Sequence, residues 1–269
     1  MLKAIVTGAG GKMGGRIISL IQGTDDIELV GAVEQSGHPA VGKDAYENLG
    51  LGHCGVTIST NLADCIAQGD VVIDFTAPKA SLRHLEMAAV HSTAMVIGST
   101  GFSADELQKA SEFCVHLSCV LSPNMSVGVN VMFKVLAYVA GILGDDYDVE
   151  IMEAHHHLKK DAPSGTAMKM AEVVATSLGR DLGKVGVFSR HGIIGERTKT
   201  EIGVQTLRAG DIVGDHTVMF GGSGERLEFI HRAHSRDNFA QGAIRAAKWV
   251  AGNKPGLYDM QDVLGLRET

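Results

Sequence analysis

The 269-residue sequence has only four cysteines, five prolines and one tryptophan, and aromatic residues make up 5% of it. The cysteines, at 54, 65, 114 and 119, form no CxxC pair, and no signal-like segment precedes the strand-like run after Met1. Reduced thiols in a cytoplasmic protein are the expectation. There is no excess of positive charge: 24 basic against 31 acidic side chains give a net charge of −7. This argues against a dedicated nucleic-acid binder and leaves room for a local basic pocket that takes a small anion. The longest apolar run, Val127 to Leu143, nears membrane-spanning length, yet Asn130 and Lys134 interrupt it and no aromatic belt flanks it. A buried helix is expected there, and no membrane partner. Internal repeats and low-complexity tracts are lacking too. With 45% hydrophobic and 20% charged residues the chain is not disordered, and its length allows one large domain or two modest ones. Glycine is what it has in plenty, 34 residues. That density points to tight turns and close backbone approaches, as in α/β enzymes.

The first half alternates strand-like and helical patterns. Residues 2–7, 28–34, 71–75, 94–98 and 115–121 read as strands, and 12–22, 81–91 and 103–112 as helices. That rhythm predicts a parallel, Rossmann-type doubly wound sheet. After Ser126, a plausible N-cap for the helix 127–143, the rhythm changes. A strand at 148–154 and a helix opened by Pro163-Ser164-Gly165 precede three strand-like runs, 201–208, 212–220 and 226–234. The turn signals at 209–211 and 221–224 suggest an antiparallel meander, hence an α+β domain with a mixed, largely antiparallel sheet. A last helix, 239–251, could return to the first domain. The expected domains are 1–126 with 237–269, and 127–236.

TGAGGKMGGR follows the first strand and enters the first helix, where a dinucleotide site requires glycine for a tight turn, close pyrophosphate approach and exposed helix N–H groups. Met13 stands at the third glycine place of GxGxxG; Gly8, Gly11 and Gly14 give GxxGxxG instead. Glu34, twenty residues beyond Gly14, is placed to bond the adenosine ribose. A glycine-rich turn that binds nothing is the alternative. Glu34 followed by Gln35 favours NADH over NADPH, although Lys12 could compensate for the 2′-phosphate. The turns Gly98-Ser99-Thr100 and Ser122-Pro123-Asn124-Met125 follow candidate parallel strands and either line a nicotinamide pocket or are ordinary turns.

The richest stretch is EAHHHLKKDAPSGTA, Glu153 to Ala167. A metal site is disfavoured: only His155 and His157 of an extended segment share a face, and Lys159 and Lys160 repel a cation. A solvated loop and an anion-binding catalytic site remain. Imidazole exchanges protons near neutrality, lysine supplies charge or a proton, and Ser164-Gly165-Thr166 opens a helix suited to a carboxylate. Beside a nicotinamide cofactor, this predicts reduction of a carboxylate-bearing small molecule.

With GAGGKMG, VVIDFT, MVIGSTGF, SPNMSVGVNVM, EAHHHLKKDAPSGTA, RAGDIVGDHTVMF and SRDNFAQGAIRAAKW, the chain resembles the 4-hydroxy-tetrahydrodipicolinate (dihydrodipicolinate) reductases over nearly its whole length. The resemblance implies a Rossmann domain, a substrate-binding and tetramerisation domain, a homotetramer, and NADH- or NADPH-dependent reduction of a dicarboxylate with loss of water. It implies that His155 is the proton donor/acceptor, Lys159 the proton donor, and that His156, Gly165 and Thr166 bind substrate. Gly8, Ala9, Gly10, Gly11, Lys12, Met13, Glu34, Gly98–Thr100 and Ser122–Met125 would hold the dinucleotide, with no metal, and Val127-Gly128 would be a hinge. Many relatives carry a basic residue in place of Gln35. A semialdehyde dehydrogenase would need a cysteine beside a histidine, a setting none of the four cysteines shows. A nucleotide sensor without turnover would have no need of the proton donors. Arg208 and His216 read as structural or interface residues flanking a hairpin, and His53, His84, His91 and His116 as ordinary surface or core histidines.

Overall fold

The structure is a computed structural model that describes residues 1–267. The chain divides into two compact units, Met1–Val127 with Arg236 onward, and Gly128–Ser235.

Unit 1 opens on β1 (Leu2–Thr7), in which Ala4, Ile5 and Val6 are fully buried. A central parallel strand is covered on both faces, so its apolar run is unbroken. α1 (Lys12–Gln22) turns Ile17, Ile18 and Ile21 to the core. Then come β2 (Ile27–Val33), β3 (Ile58–Ser59), β4 (Val71–Asp74), α2 (Pro78–His91), β5 (Ala94–Ile97), α3 (Ala104–Phe113) and β6 (Ser118–Leu121). α2 starts three residues before the expected Ser81, because Pro78 presets the first helical turn. α3 starts on a capping box between Ser103 and Glu106. β6 starts at Ser118 and not at Val115, whose side chain is exposed.

In unit 2, α4 (Val127–Leu143) lays Val129, Met132, Phe133, Leu136 and Ala140 into the core. The segment Val127–Asp146 is long and apolar enough to cross a membrane; its inner stripe packs as a core helix does. Next are β7 (Asp148–His155), α5 (Gly165–Ser177), α6 (Leu182–Val185), β8 (Gly186–Val187), β9 (Ile202–Arg208), β10 (Gly214–Gly221) and β11 (Arg226–Ala233), in the sheet order β11-β10-β7-β9-β8. β10 is antiparallel to β11 and β7, whereas β7–β9 and β9–β8 are parallel, so the sheet is mixed. The β10–β11 hairpin follows the turn signal at 221–224. The meander expected before it does not form. β7 lies between β9 and β10, so the turn at Ala209-Gly210-Asp211 reverses the chain without pairing the strands it joins.

The chain then completes unit 1. α7 (Asp237–Val250) packs Ala240, Ala243, Ala246, Ala247 and Val250 into the core shared with α1. β12 (Gly256–Tyr258) pairs with β6, and α8 (Met260–Val263) follows. The sheet has seven strands, all parallel, in the order β12-β6-β5-β4-β1-β2-β3. The direction of winding reverses beside β1, and ligands of such sheets bind outside the carboxyl ends of the strands at that point.

Candidate functional site

At that reversal in unit 1 lies a cavity of about 530 Å³, lined among others by Thr7, Gly8, Gly11, Glu34, Phe75 and His84. Gly8 adopts φ +72°, and a Cβ on Gly14 would stand 2.0 Å from the Gly8 carbonyl oxygen. Glycine at 14 therefore lets α1 start directly beneath the loop. The Glu34 carboxylate is tied to this loop: its oxygens accept from the Gly10 N–H at 3.0 Å and the Gln35 N–H at 2.8 Å. The His38 ring packs over Gly10, a neighbour the sequence did not suggest. Thr7 Oγ1 is buried and has no partner within the protein. A glycine loop at a helix N-terminus, an acid on the next strand and an unsatisfied hydroxyl fit a dinucleotide. Gly14→Ala is expected to displace the loop and weaken NADH binding by at least about tenfold, read by calorimetry; wild-type affinity would contradict this geometry.

The second half of this site is a buried carboxylate. Asp74, the last residue of β4, accepts from His84 Nδ1 at 2.6 Å, from the Ser81 and Thr76 hydroxyls at 2.8 Å, from the Thr76 N–H at 3.0 Å and from Ser99 Oγ at 3.2 Å. Burial would raise its pKa, but these bonds, His84 first, hold it below the usual carboxylate value. Asp74 thus ties the turn after β4, the turn after β5 and helix α2 together. Of the other residues expected at the dinucleotide, Gly98 packs against the Phe75 ring. Ser122 Oγ donates to the Asn124 carbonyl at 3.0 Å. Thr100, Pro123 and Lys12 are exposed. The side chains of Ala9 and Met125 are core, and Met13 packs partly against the same core, so Ala9 and Met125 can offer a ligand only their backbone. His84, read as an ordinary histidine, lines the cavity.

Unit 2 has a corresponding hub in Glu153, which is 1% exposed. It accepts from His155 Nδ1 at 2.6 Å, from both terminal nitrogens of Arg208 at 2.8 and 3.0 Å, from the Ser164 N–H at 3.0 Å and from Thr206 Oγ1 at 3.2 Å. Sheet register assembles it: Glu153 sits opposite His216 on β10 and Thr206 on β9, and His155 opposite Arg208. Arg208 also donates to the Asp161 carbonyl at 2.6 Å, so one guanidinium fastens both ends of the His-Lys segment. Within that segment the His156 N–H bonds the Ile212 carbonyl, His157 Nδ1 bonds the Gly210 carbonyl, and Lys159 Nζ pairs with Asp161 at 2.8 Å. His156 Nδ1 is buried without a partner. Ser164 caps α5, its Oγ accepting from the Ala167 N–H, and meets His216 Nε2 at 3.1 Å. Gly165 and Thr166 form the first turn of α5, at the positive end of its dipole. Arg208 and His216, expected to be structural or interface residues, both belong to this cluster, Arg208 by holding Glu153 and the Asp161 carbonyl and His216 by meeting Ser164.

The site's electrostatics follow from burial. Burial drives His155 below its ordinary value, with Glu153 opposing and Lys159 and Arg208 assisting. Burial pushes His216 down to about 3, so it is neutral at physiological pH. Burial would raise Glu153, but Arg208, His155 and the Ser164 amide keep it ionised and below the usual range. Unfolded histidine gains a proton near pH 6.5, which folded His216 refuses until about pH 3. Its contribution is therefore complete above pH 6.5 and declines by ~1.4 kcal/mol per pH unit between these limits, with His155 acting in the same direction. The denaturation midpoint is expected to fall between pH 7 and pH 5; an unchanged or rising midpoint would contradict neutral burial. Among the described residues, no group of three or more His, Cys, Asp or Glu side chains could hold a metal.

Comparison with known proteins bears on both units. The family profile for the N-terminus of dihydrodipicolinate reductase matches residues 2–125, and that for its C-terminus residues 128–264. The chain belongs to the dihydrodipicolinate reductase family. It is therefore an oxidoreductase. It is 67% identical to the 4-hydroxy-tetrahydrodipicolinate reductase of Syntrophus aciditrophicus, over 99% of this chain and all of that one, and 61% identical to that of Geotalea uraniireducens over the same spans. A dipicolinate-bound dihydrodipicolinate reductase from Paenisporosarcina sp. TG-14 shares the fold, with a TM-score of 0.76 at 24% identity, over 97% of this chain and 98% of that one. The reductase family thus covers both the glycine-loop cavity and the Glu153 cluster.

Proposed function

We propose that this chain reduces 4-hydroxy-tetrahydrodipicolinate to tetrahydrodipicolinate, with loss of water, in diaminopimelate and lysine biosynthesis. The observation that carries the reading is the Glu153 cluster, which gathers His155, the lysine segment and the N-terminus of α5 in a chain of this family. A nicotinamide dinucleotide supplies the hydride, and NADH is favoured by Glu34 and Gln35. Gly8 through Met13, Glu34, Gly98–Thr100 and Ser122–Met125 hold it, Ala9 and Met125 through backbone atoms. The amides of Gly165 and Thr166 take a substrate carboxylate, and His156 takes a second polar group of the ring. Lys159 Nζ delivers the proton that neutralises charge developing on the ring nitrogen side. His155, its Nδ1 engaged by Glu153, exchanges protons through Nε2.

The test is a coupled assay: pyruvate and aspartate semialdehyde are condensed enzymatically, and nicotinamide absorbance is followed with NADH and NADPH in parallel. Oxidation that depends on the condensed product is expected. None with either dinucleotide, in a preparation that binds NADH, would overturn the reading. A cytoplasmic homotetramer belongs to the same proposal. Met152, Leu207 and Ile230 are exposed on the unit 2 sheet, the kind of apolar face a second copy would cover. Light scattering is expected to give four chains; a monomer at assay concentration would remove the tetramer from the proposal.

A further inference from the structure

The cavity in unit 1 is lined by a cation that Glu34 and Gln35 do not suggest. Arg83, on α2, lines it together with Glu34, Gln35, Ser36 and Thr60. The neighbouring His84 is anchored to Asp74 at 2.6 Å, which fixes this part of the helix against the sheet. Among the described residues Arg83 makes no ion pair or hydrogen bond, whereas Arg16, Arg180, Arg190, Arg197 and Arg208 are all paired with acids. Both Glu34 oxygens are engaged by backbone N–H groups, which offsets part of the acid's repulsion toward an anion. Lys12, the other basic candidate, does not line this cavity.

Resting on the reading of unit 1 as a dinucleotide site, we propose that Arg83 reads the adenosine 2′-phosphate, with Ser36 and Thr60 as hydroxyl donors, so that the chain accepts NADPH as well as NADH. The charge comes from α2 and not from the residue after Glu34. A phosphate dianion bound by a guanidinium and hydroxyl groups makes charge-assisted hydrogen bonds that the ribose hydroxyl of NADH cannot match.

The test compares wild type with Arg83→Gln by calorimetry, using NADPH, NADH and the fragments 2′,5′-ADP and 5′-AMP. The variant is expected to raise the Kd ratio of NADPH to NADH, and of 2′,5′-ADP to 5′-AMP, by about tenfold or more. Wild-type affinity for 2′,5′-ADP should also weaken more steeply with salt than that of the variant. Unchanged ratios with both affinities lowered would mean that Arg83 stacks on adenine, and would overturn the proposal. Unchanged affinities, or wild type that binds NADH but not NADPH, would overturn it equally. Failure of wild type to bind any of the four probes would instead sink the dinucleotide reading beneath it.

Discussion

Lys159→Ala and His155→Ala are each expected to lower kcat by roughly two to four orders of magnitude, with NADH affinity retained. Lys159→Ala gives up the ion pair with Asp161, in a segment whose backbone is held by other bonds, from His156 to Ile212 and from Arg208 to Asp161. The truncation therefore removes an ammonium group and little else. His155 is anchored at Nδ1, so alanine removes Nε2, the nitrogen proposed to exchange the proton, and also one of the donors on Glu153. Single-turnover rates and NADH titrations separate loss of proton transfer from loss of binding. Turnover within a few-fold of wild type in both variants would falsify these roles.

Glu153→Gln has the second-largest expected effect. The isostere keeps the volume but withdraws the charge that Arg208 and His155 face inside the sheet. Breaking a buried pair costs ~3–5 kcal/mol, and the lower end applies because Arg208 is one-fifth exposed and water can reach its guanidinium. Loss of the acid also frees the His155 ring and removes the group that raises its pKa. A tenfold to hundredfold fall in kcat is expected, a part of the ~10²–10⁴ attributable to acid–base catalysis. The pH profile should shift with it, the acidic limb moving to lower pH. A variant of full stability with an unmoved profile would show that Glu153 does not position His155.

Much of the first unit was legible because its rules are local. β1 and α1 run over the residues their patterns gave, 2–7 and 12–22, since an apolar run, a glycine loop and a 3.6-residue stripe each declare themselves without distant partners. β3, β8 and β12 span two, two and three residues, too short for any period to show. Pairing was less legible than strand position: nothing in the runs 201–208 and 212–220 says that β7 comes between them. The hubs were hidden for the same reason. Glu153 is 53 residues from Thr206 and further still from His216, and it meets them only through the register of three strands. A signal was nevertheless there. Glu153 shares parity with Val149 and Ile151, and His216 with Val218 and Phe220. A charged or titratable residue on the inward side of an alternating strand must have partners. Asp74, ending the wholly buried β4, carries the same message.

The interrupted path of unit 1 has a consequence for its birth on the ribosome. Synthesis delivers Gly128–Ser235 in full before α7 and β12 exist, so the second unit can close first, against the usual N-to-C order of domain folding. Until then the nascent sheet lacks its β12 edge and the helix that packs on β4, β5 and β6. A nascent chain stalled just after β11 should therefore expose that apolar face to holding chaperones, and the segment made after the second unit is what seals the sheet made before it.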